Sequence, residues 1–534
     1  MDDVLKEELG PLYVGIPGFS EAFFGEVEGL EAAGTAVFKE CKEGDNPLYS
    51  EEAGWPERKL DVGFVNDPKA NEASKCHWSQ ILVPGELKSN SGLDTPSKAW
   101  LDLGRYAREV LAAQDTRRFV LGFTLCGPIM RLWEFDRVGG IASAPFDINR
   151  DGLQFVSAVL GYLWMNEEQL GFDPTILASD GKRYIEIVRN DQTERLVLDE
   201  LMKRAPCVAG RATTCWKAHR DGDESKTPLV IKDAWQYPER EEEGKLLQEA
   251  TEKGVVNVAR YYHHETVRVG GKNDDIHNNV RKGLDITRAT NYKPEGSMMP
   301  PSTSRVQGST RRGRSASISS TGRKRSSSCT SAPLPPSKRT CSSSPTKGGR
   351  GPATQNRVHR RVIVRDYGKA IYKASSRAAM LAALEGCIEG YEDLDIRAGM
   401  WHCDISTGNL MINEEDGNPS WRSFLIDLDL AIKKQRERPS GARGKTGTRA
   451  FMAIEVLLDE KHSFMHDLES FFWVLFWICI HYDGPNRKSR VVPRFEKWNY
   501  VDTEELAELK KGTVADEGDF LKTARRTLRR ITNH

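Results

Sequence analysis

The chain is 534 residues long, enough for two or three domains with cores of their own, and carries 77 basic against 77 acidic residues. That balance excludes a chain devoted as a whole to nucleic acid; charge is segregated into local blocks instead. Ten cysteines without regular C-x-x-C spacing, and no basic-apolar leader after Met1, predict an intracellular protein, cytoplasmic or nuclear, with reduced thiols and no zinc site. The most apolar run, Phe471 to Ile480, falls short of the roughly 20 residues a membrane-spanning helix needs, so no membrane is expected and the run predicts a buried core helix.

Residues 1–195 read as an N-terminal α/β domain. Strands are expected over Leu60 to Val65, Gln80 to Glu86, Arg118 to Leu125 and Met130 to Phe135, with a helix from about Pro96 to Gln114. Asp61, then Glu86-Leu87-Lys88, place carboxylates at the ends of adjacent strands with a following lysine. This resembles the D...E-x-K metal site of PD-(D/E)xK nucleases, and a helix bearing Tyr106 and Gln114 suits that fold. Both elements are common at strand ends, so a structural or degenerate version is expected ahead of a live nuclease. From Asn149 to Leu170 apolar residues recur at helical spacing. Between Tyr184 and Leu201 two apolar runs flank a turn at Asn190-Asp191, read as a bridge into the next domain.

Residues 196–291 form the next unit. The stretch from Cys207 to His219 suits two strands joined by a tight turn that could cover phosphates, with Gly210 at the turn. It is glycine-poor beside G-x-G-x-x-G, and Ala212 fills a glycine position. The strand Pro228 to Lys232 ends an apolar run on a lone cation, as a phosphate-holding lysine would; a snorkelling surface lysine is the bland alternative. Glu243-Gly244-Lys245-Leu246-Leu247 then resembles the E-x-x-[IL]-L of the kinase helix whose glutamate pairs that lysine, and the leucine register selects Glu243 over Glu241 and Glu242. Arg260 to Val269 reads as a further strand.

Residues 292–356 hold almost no apolar side chains and are rich in Ser, Arg, Lys, Pro and Thr. They cannot bury enough surface to offset the entropy of ordering, so a disordered insertion is expected between the two lobes. Its serines beside arginines and Ser344-Pro345 suit phosphorylation, nuclear import or polyanion binding; nucleic-acid contact is confined to this insertion or the N-terminal domain. Order resumes in residues 357–534: a strand at Val358 to Val364, a hinge at Arg365 to Gly368, and a helix from Arg377 to about Ile396.

The densest chemistry runs from Trp401 to Ala431. His402, Asp404 and Asn409 keep the spacing H-x-D-x-x-x-x-N, in which an aspartate can accept a hydroxyl proton and an amide oxygen can hold a divalent cation. A hairpin, Leu410 to Asn413 and Arg422 to Ile426, hands the chain to Asp427, a carboxylate just past an apolar strand where D-F-G-L-A of kinases has its metal-binding aspartate. Thr446 to Glu455 resembles the G-T...Y-M-A-P-E end of an activation segment, with Ile454 at the proline. Asp467 opens the apolar helix and needs a polar partner there. The stretch to His534 is short beside the terminal helices of kinases, so a shortened large lobe is expected.

His402 to Asn409, Leu425 to Ala431 (L-I-D-x-D-L-A) and Asp467 to Ser470 (D-L-E-S) together resemble the fungal-type protein kinase family, over roughly residues 200 to 534 and extending toward the N-terminal domain. The resemblance implies an α+β, two-lobed protein-kinase-like fold preceded by the α/β domain, and ATP- and Mg2+-dependent transfer of phosphate to serine or threonine of a protein substrate. It implies that Lys232 binds ATP phosphates, with Gly210 in the covering loop. Glu243 would orient Lys232, Asp404 would be the base or substrate-orienting group, and Asn409 with Asp427 would hold magnesium. Cys403 replaces the arginine of H-R-D, so activation through a phosphorylated loop read by that arginine is not expected. Asp429 is an acid also tolerated in small-molecule kinases of the aminoglycoside or choline type, one alternative; a pseudokinase scaffold is the other.

Overall fold

The computed structural model describes residues 2–43, 62–65, 67, 76–293, 356–434, 447–482, 491–518 and 520–522. It is a mixed α+β structure with several sheets. Helices α1 (Asp2–Leu9), α2 (Phe19–Phe24) and α3 (Leu30–Glu43) precede the first sheet. Its strand β1 (Val62–Val65) pairs antiparallel with β2 (Ile81–Lys88), and helix α4 (Ala99–Ala113) crosses over to β3 (Val120–Cys126), parallel to β2. The apolar spacing of Leu103, Ala107, Val110 and Leu111 puts these residues on one buried face of α4, which packs on β2 and β3. Strands β4 (Ile129–Asp136), β5 (Gly139–Ala142) and β6 (Phe146–Asp147) complete the sheet, and α5 (Gly152–Trp164) packs on α3.

The second sheet has seven strands, every neighbouring pair antiparallel. In chain order they are β7 (Leu177–Ser179), β8 (Lys182–Arg189), β9 (Gln192–Arg204), β10 (Thr214–Arg220), β11 (Leu229–Gln236), β12 (Tyr261–Thr266) and, after a small hairpin of β13 (Arg268–Val269) and β14 (Lys272–Asn273), β15 (Val358–Val364). Helix α6 (Glu243–Glu252) lies against β12. Three expectations change here. The Tyr184 to Leu201 runs are not a bridge: they are β8 and β9, full members of this sheet, and the boundary drawn at residue 195 falls inside β9. The Cys207-Val208-Ala209 run is not a strand, because β9 ends at Arg204 and Val208 is instead buried against the N-terminal domain. The insertion, expected between two lobes, falls in the chain between β12 and β15, which are paired neighbours in one sheet, with Glu265 opposite Arg361. Residues 294–355, and with them most of the stretch expected to be disordered, lie outside the described residues.

Beyond β15 come β16 (Lys369–Ala370), α7 (Arg377–Asp393), β17 (Met400–Trp401), β18 (Leu410–Ile412), β19 (Ser423–Leu425) and β20 (Ile432–Lys433). β18 pairs with β19, and β17 pairs with β20. This nesting brings the β17–β18 loop beside the β19–β20 loop. Helices α8 (Ile454–Leu457), α9 (Phe464–His481), α10 (Pro493–Glu496) and α11 (Thr503–Val514) follow. The apolar run in α9 buries Phe471, Trp473, Val474, Phe476 and Trp477 in the largest core cluster. No described helix is long and apolar enough to cross a membrane.

Candidate active site

The β17–β18 loop carries His402, Asp404 and Asn409, all buried. Asp467, near the start of α9, fixes the loop from below by accepting the His402 N–H at 2.9 Å and the Cys403 N–H at 3.1 Å. Burial pushes the Asp467 carboxyl up, but the hydrogen bond and charge of His462 and these backbone donors outweigh it and hold the group below the usual carboxylate range. The Asp404 N–H donates to His402 Nδ1 at 3.3 Å, so Nε2 carries the ring proton and donates to the Ile426 carbonyl at 3.0 Å. His402 therefore ties the loop to the residue before Asp427. The Asn409 carboxamide nitrogen donates to the Asp404 carbonyl at 2.7 Å, and the Thr448 N–H and hydroxyl donate to Asp404 Oδ1 at 2.9 and 2.8 Å. Cys403 and Asp427 both have positive φ, 62° and 70°, a conformation that non-glycine residues hold only where their surroundings fix it.

Across from this loop, Lys232 on β11 meets two carboxylates. Its Nζ lies 2.5 Å from Glu243 Oε2, at the start of α6, and 2.7 Å from Asp427 Oδ1. Gly244 makes the approach of α6 possible: a Cβ there would sit 2.2 Å from the His264 side chain. Burial would pull the Lys232 ammonium down, yet Asp427 and Glu243 raise its pKa above that of an ordinary lysine. One ammonium serves two acids, with Asp429 close by. Burial, with the negative charges of Asp427 and Asp429, outweighs Lys232 and pushes the Glu243 carboxyl up to about 7.

The β9–β10 loop contributes a residue that its sequence did not announce. Gly210 has φ +126° and its N–H donates to the Arg137 carbonyl at 3.0 Å, so that N–H faces the N-terminal domain. The neighbouring Arg211 points into the site: its Nη1 donates to Asp429 and lies 3.7 Å from Asp427 Oδ1. The other Asp429 oxygen accepts from Gln236, four residues beyond Lys232. Burial opposes the charge on Asp429, but Arg211 and Lys232 keep its carboxyl below the usual range. The sequence points to Gly210 as the covering residue; the site also holds Arg211, Gln236 and Thr448, which no local sequence pattern marks.

Asp427 supplies carboxylate oxygens and Asn409 a carboxamide oxygen, the hard donors that a magnesium-type cation prefers. The bond from Ile426 N to the Asn409 carbonyl, 3.1 Å, keeps the two together. A family model described as fungal protein kinase matches residues 59–479. The chain belongs to the fungal protein kinase family. Membership carries kinase chemistry, phosphoryl transfer with ATP and a divalent metal in general. The match also takes in the N-terminal sheet, which the kinase motifs alone did not reach. No curated protein matches the chain.

The nuclease-like motif fares differently. Asp61 lies outside the described residues; Lys88 pairs with Glu86 and lies 3.1 Å from Asp102 of α4. Asp173, Asp233 and His359 also have ligating chemistry, but Arg361 is bonded to both carboxylates, so the cluster is an internal ion network.

Proposed function

We propose that this fungal protein kinase transfers the γ-phosphate of ATP, with magnesium, to serine or threonine hydroxyls of protein substrates. The observation that carries the reading is the convergence of Lys232, Glu243 and Asp427 opposite the Asp404–Asn409 loop. Lys232, held by Glu243, binds and orients phosphate oxygens. Asp427 and Asn409 hold the cation, which when bound neutralises charge developing on the transferred group. Asp404 orients the attacking hydroxyl and takes its proton; Thr448 occupies Oδ1, which sets the direction of the carboxylate. Such transfer depends mainly on positioning and on cations, which is what these residues provide.

In this reading the seven-stranded sheet with α6 is the small lobe and residues from about 365 onward the large lobe. The cleft between them is the nucleotide site, and the N-terminal sheet is a PD-(D/E)xK-like scaffold used structurally. The protein works inside the cell, in cytoplasm or nucleus. A silent scaffold is the rival, favoured by one observation: Arg211, 3.7 Å from Asp427 Oδ1, stands where it would compete with a metal. Assay of phosphate transfer from labelled ATP to peptide arrays decides. Asp404→Ala is expected to lower transfer about 100- to 10,000-fold with nucleotide affinity nearly unchanged. Transfer that ignores Asp404, or none in the wild type, would leave the scaffold.

A further inference from the structure

Arg211 is only half engaged by the protein around it. Nη1 holds Asp429, while Nε and Nη2 have no hydrogen-bond partner among the described residues. The charge is secure: burial disfavours it, but Asp429 and Asp427 hold the guanidinium protonated. The loop that carries it offers a poor backbone cradle for phosphate, since the Gly210 N–H is turned to Arg137 and Ala212, with φ +46°, takes a glycine position. A guanidinium fork supplies charge and paired donors where backbone N–H groups are not available.

Two departures from the kinase pattern then explain each other. The glycine-poor loop delivers an arginine, and the unusual acid two residues after Asp427 is its holder, itself fixed on the far side by Gln236. The loop is also fastened from outside. The Val208 N–H donates to Glu8 at 2.5 Å, and Arg137 Nη1 donates to the Cys207 and Val208 carbonyls at 3.1 and 3.2 Å. On the sheet side the Trp235 N–H donates to the Arg211 carbonyl at 2.8 Å. Glu8 and Arg137 belong to the N-terminal domain, which thus sets where Arg211 stands.

Resting on the kinase reading, we propose that Arg211 is a phosphate-binding residue of the nucleotide site, held in register by Asp429 and by the N-terminal domain. The test is equilibrium binding of magnesium ATP, magnesium ADP and adenosine to the full chain, in wild type, Arg211→Met and Arg211→Lys. Loss of charge-assisted bonds to phosphate should weaken ATP and ADP about tenfold or more in Arg211→Met, with adenosine within about twofold and Arg211→Lys between. Equal weakening of all three ligands means a structural role and overturns the proposal. Unchanged or tighter ATP binding overturns it too, making Arg211 a bystander or a blocking cation. Should Arg211→Met fail to melt cooperatively, Arg211→Lys carries the same comparison. A wild type that binds neither ATP nor ADP sinks the kinase reading itself, which the other outcomes leave standing.

Discussion

Lys232 Nζ on β11 lies 2.7 Å from Asp427 Oδ1, 195 residues further along the chain. That contact joins the seven-stranded sheet to the β19–β20 loop, and Glu243 completes it from α6. Glu243 and Asp427 share the Lys232 ammonium, with Arg211 3.7 Å from Asp427 on the other side, and the titration of Glu243 should be visible.

The Glu243 carboxyl is raised from 4.5 to about 7. Between these pH values the unfolded chain releases the proton while the folded chain keeps it, so this group makes stability fall as pH rises, until about 7. Lys232 stays charged throughout that window. Glu243→Gln removes the titration at nearly constant size, so urea midpoints measured from pH 4.5 to 7 should rise for the variant relative to wild type as pH increases. Parallel curves would place the proton elsewhere. Nucleotide affinity of the wild type should strengthen through the same window as the Lys232 partner ionises.

Asn409 and Asp427 are read as one cation site. Asn409→Ala and Asp427→Asn should each raise the magnesium concentration for half-maximal transfer, and Asp427→Asn should lower kcat about 100-fold or more. Asp427→Asn also removes a partner of Lys232, so its nucleotide affinity without metal should change where that of Asn409→Ala does not. Titration of magnesium at fixed ATP checks both; an unshifted magnesium requirement in the pair would remove them from the metal site.

What the sequence made legible follows distance along the chain. His402, Asp404, Asn409 and Asp427 stand within one local stretch whose spacing fixes their chemistry, and the E-x-x-L-L register picked Glu243 from three adjacent glutamates. Arg211 was not legible, because its meaning depends on Asp429, 218 residues away, and nothing local distinguishes an inward arginine from a surface one. The alternation in β8 and β9 was visible but not the sheet they join, since register specifies a buried face and not a neighbour. Val208 looked like strand because it is apolar; tertiary contact with α1 claimed it instead.

Asp467 anchors the His402–Asn409 loop by accepting two buried backbone N–H groups, those of His402 and Cys403. Asp467→Ala should destabilise the protein by about 2–5 kcal/mol, the cost of leaving buried donors unpaired. Because Cys403 holds φ 62° only while restrained, kcat should fall in Asp467→Ala even at temperatures where it remains folded. Denaturant unfolding together with steady-state kinetics separates the two effects. A loss of stability with wild-type kcat would make Asp467 a packing residue alone.

His359 on β15 faces acids on both sides: Nε2 is 3.3 Å from Asp233 Oδ2, and Nδ1 is 3.0 Å from Asp274 Oδ2. Arg361 also bonds Asp233 and reaches Asp173, and Arg118 pairs with Asp274 at 2.9 Å, so the network fastens the N-terminal domain to the strand beside Lys232. Burial alone would push the imidazole down, but Asp233 and Asp274 outweigh it and raise the group to about 9. A cation whose folded value exceeds its unfolded one stabilises fully below pH 6.5 and loses that contribution as pH rises through 9, here on the order of 3 kcal/mol. Wild-type stability should therefore decline between pH 6.5 and 9, and His359→Gln, less stable at pH 6, should be nearly flat over that range. Thermal melts at half-unit pH steps make the comparison, and a decline of equal slope in both proteins would mean that His359 is neutral in the folded chain.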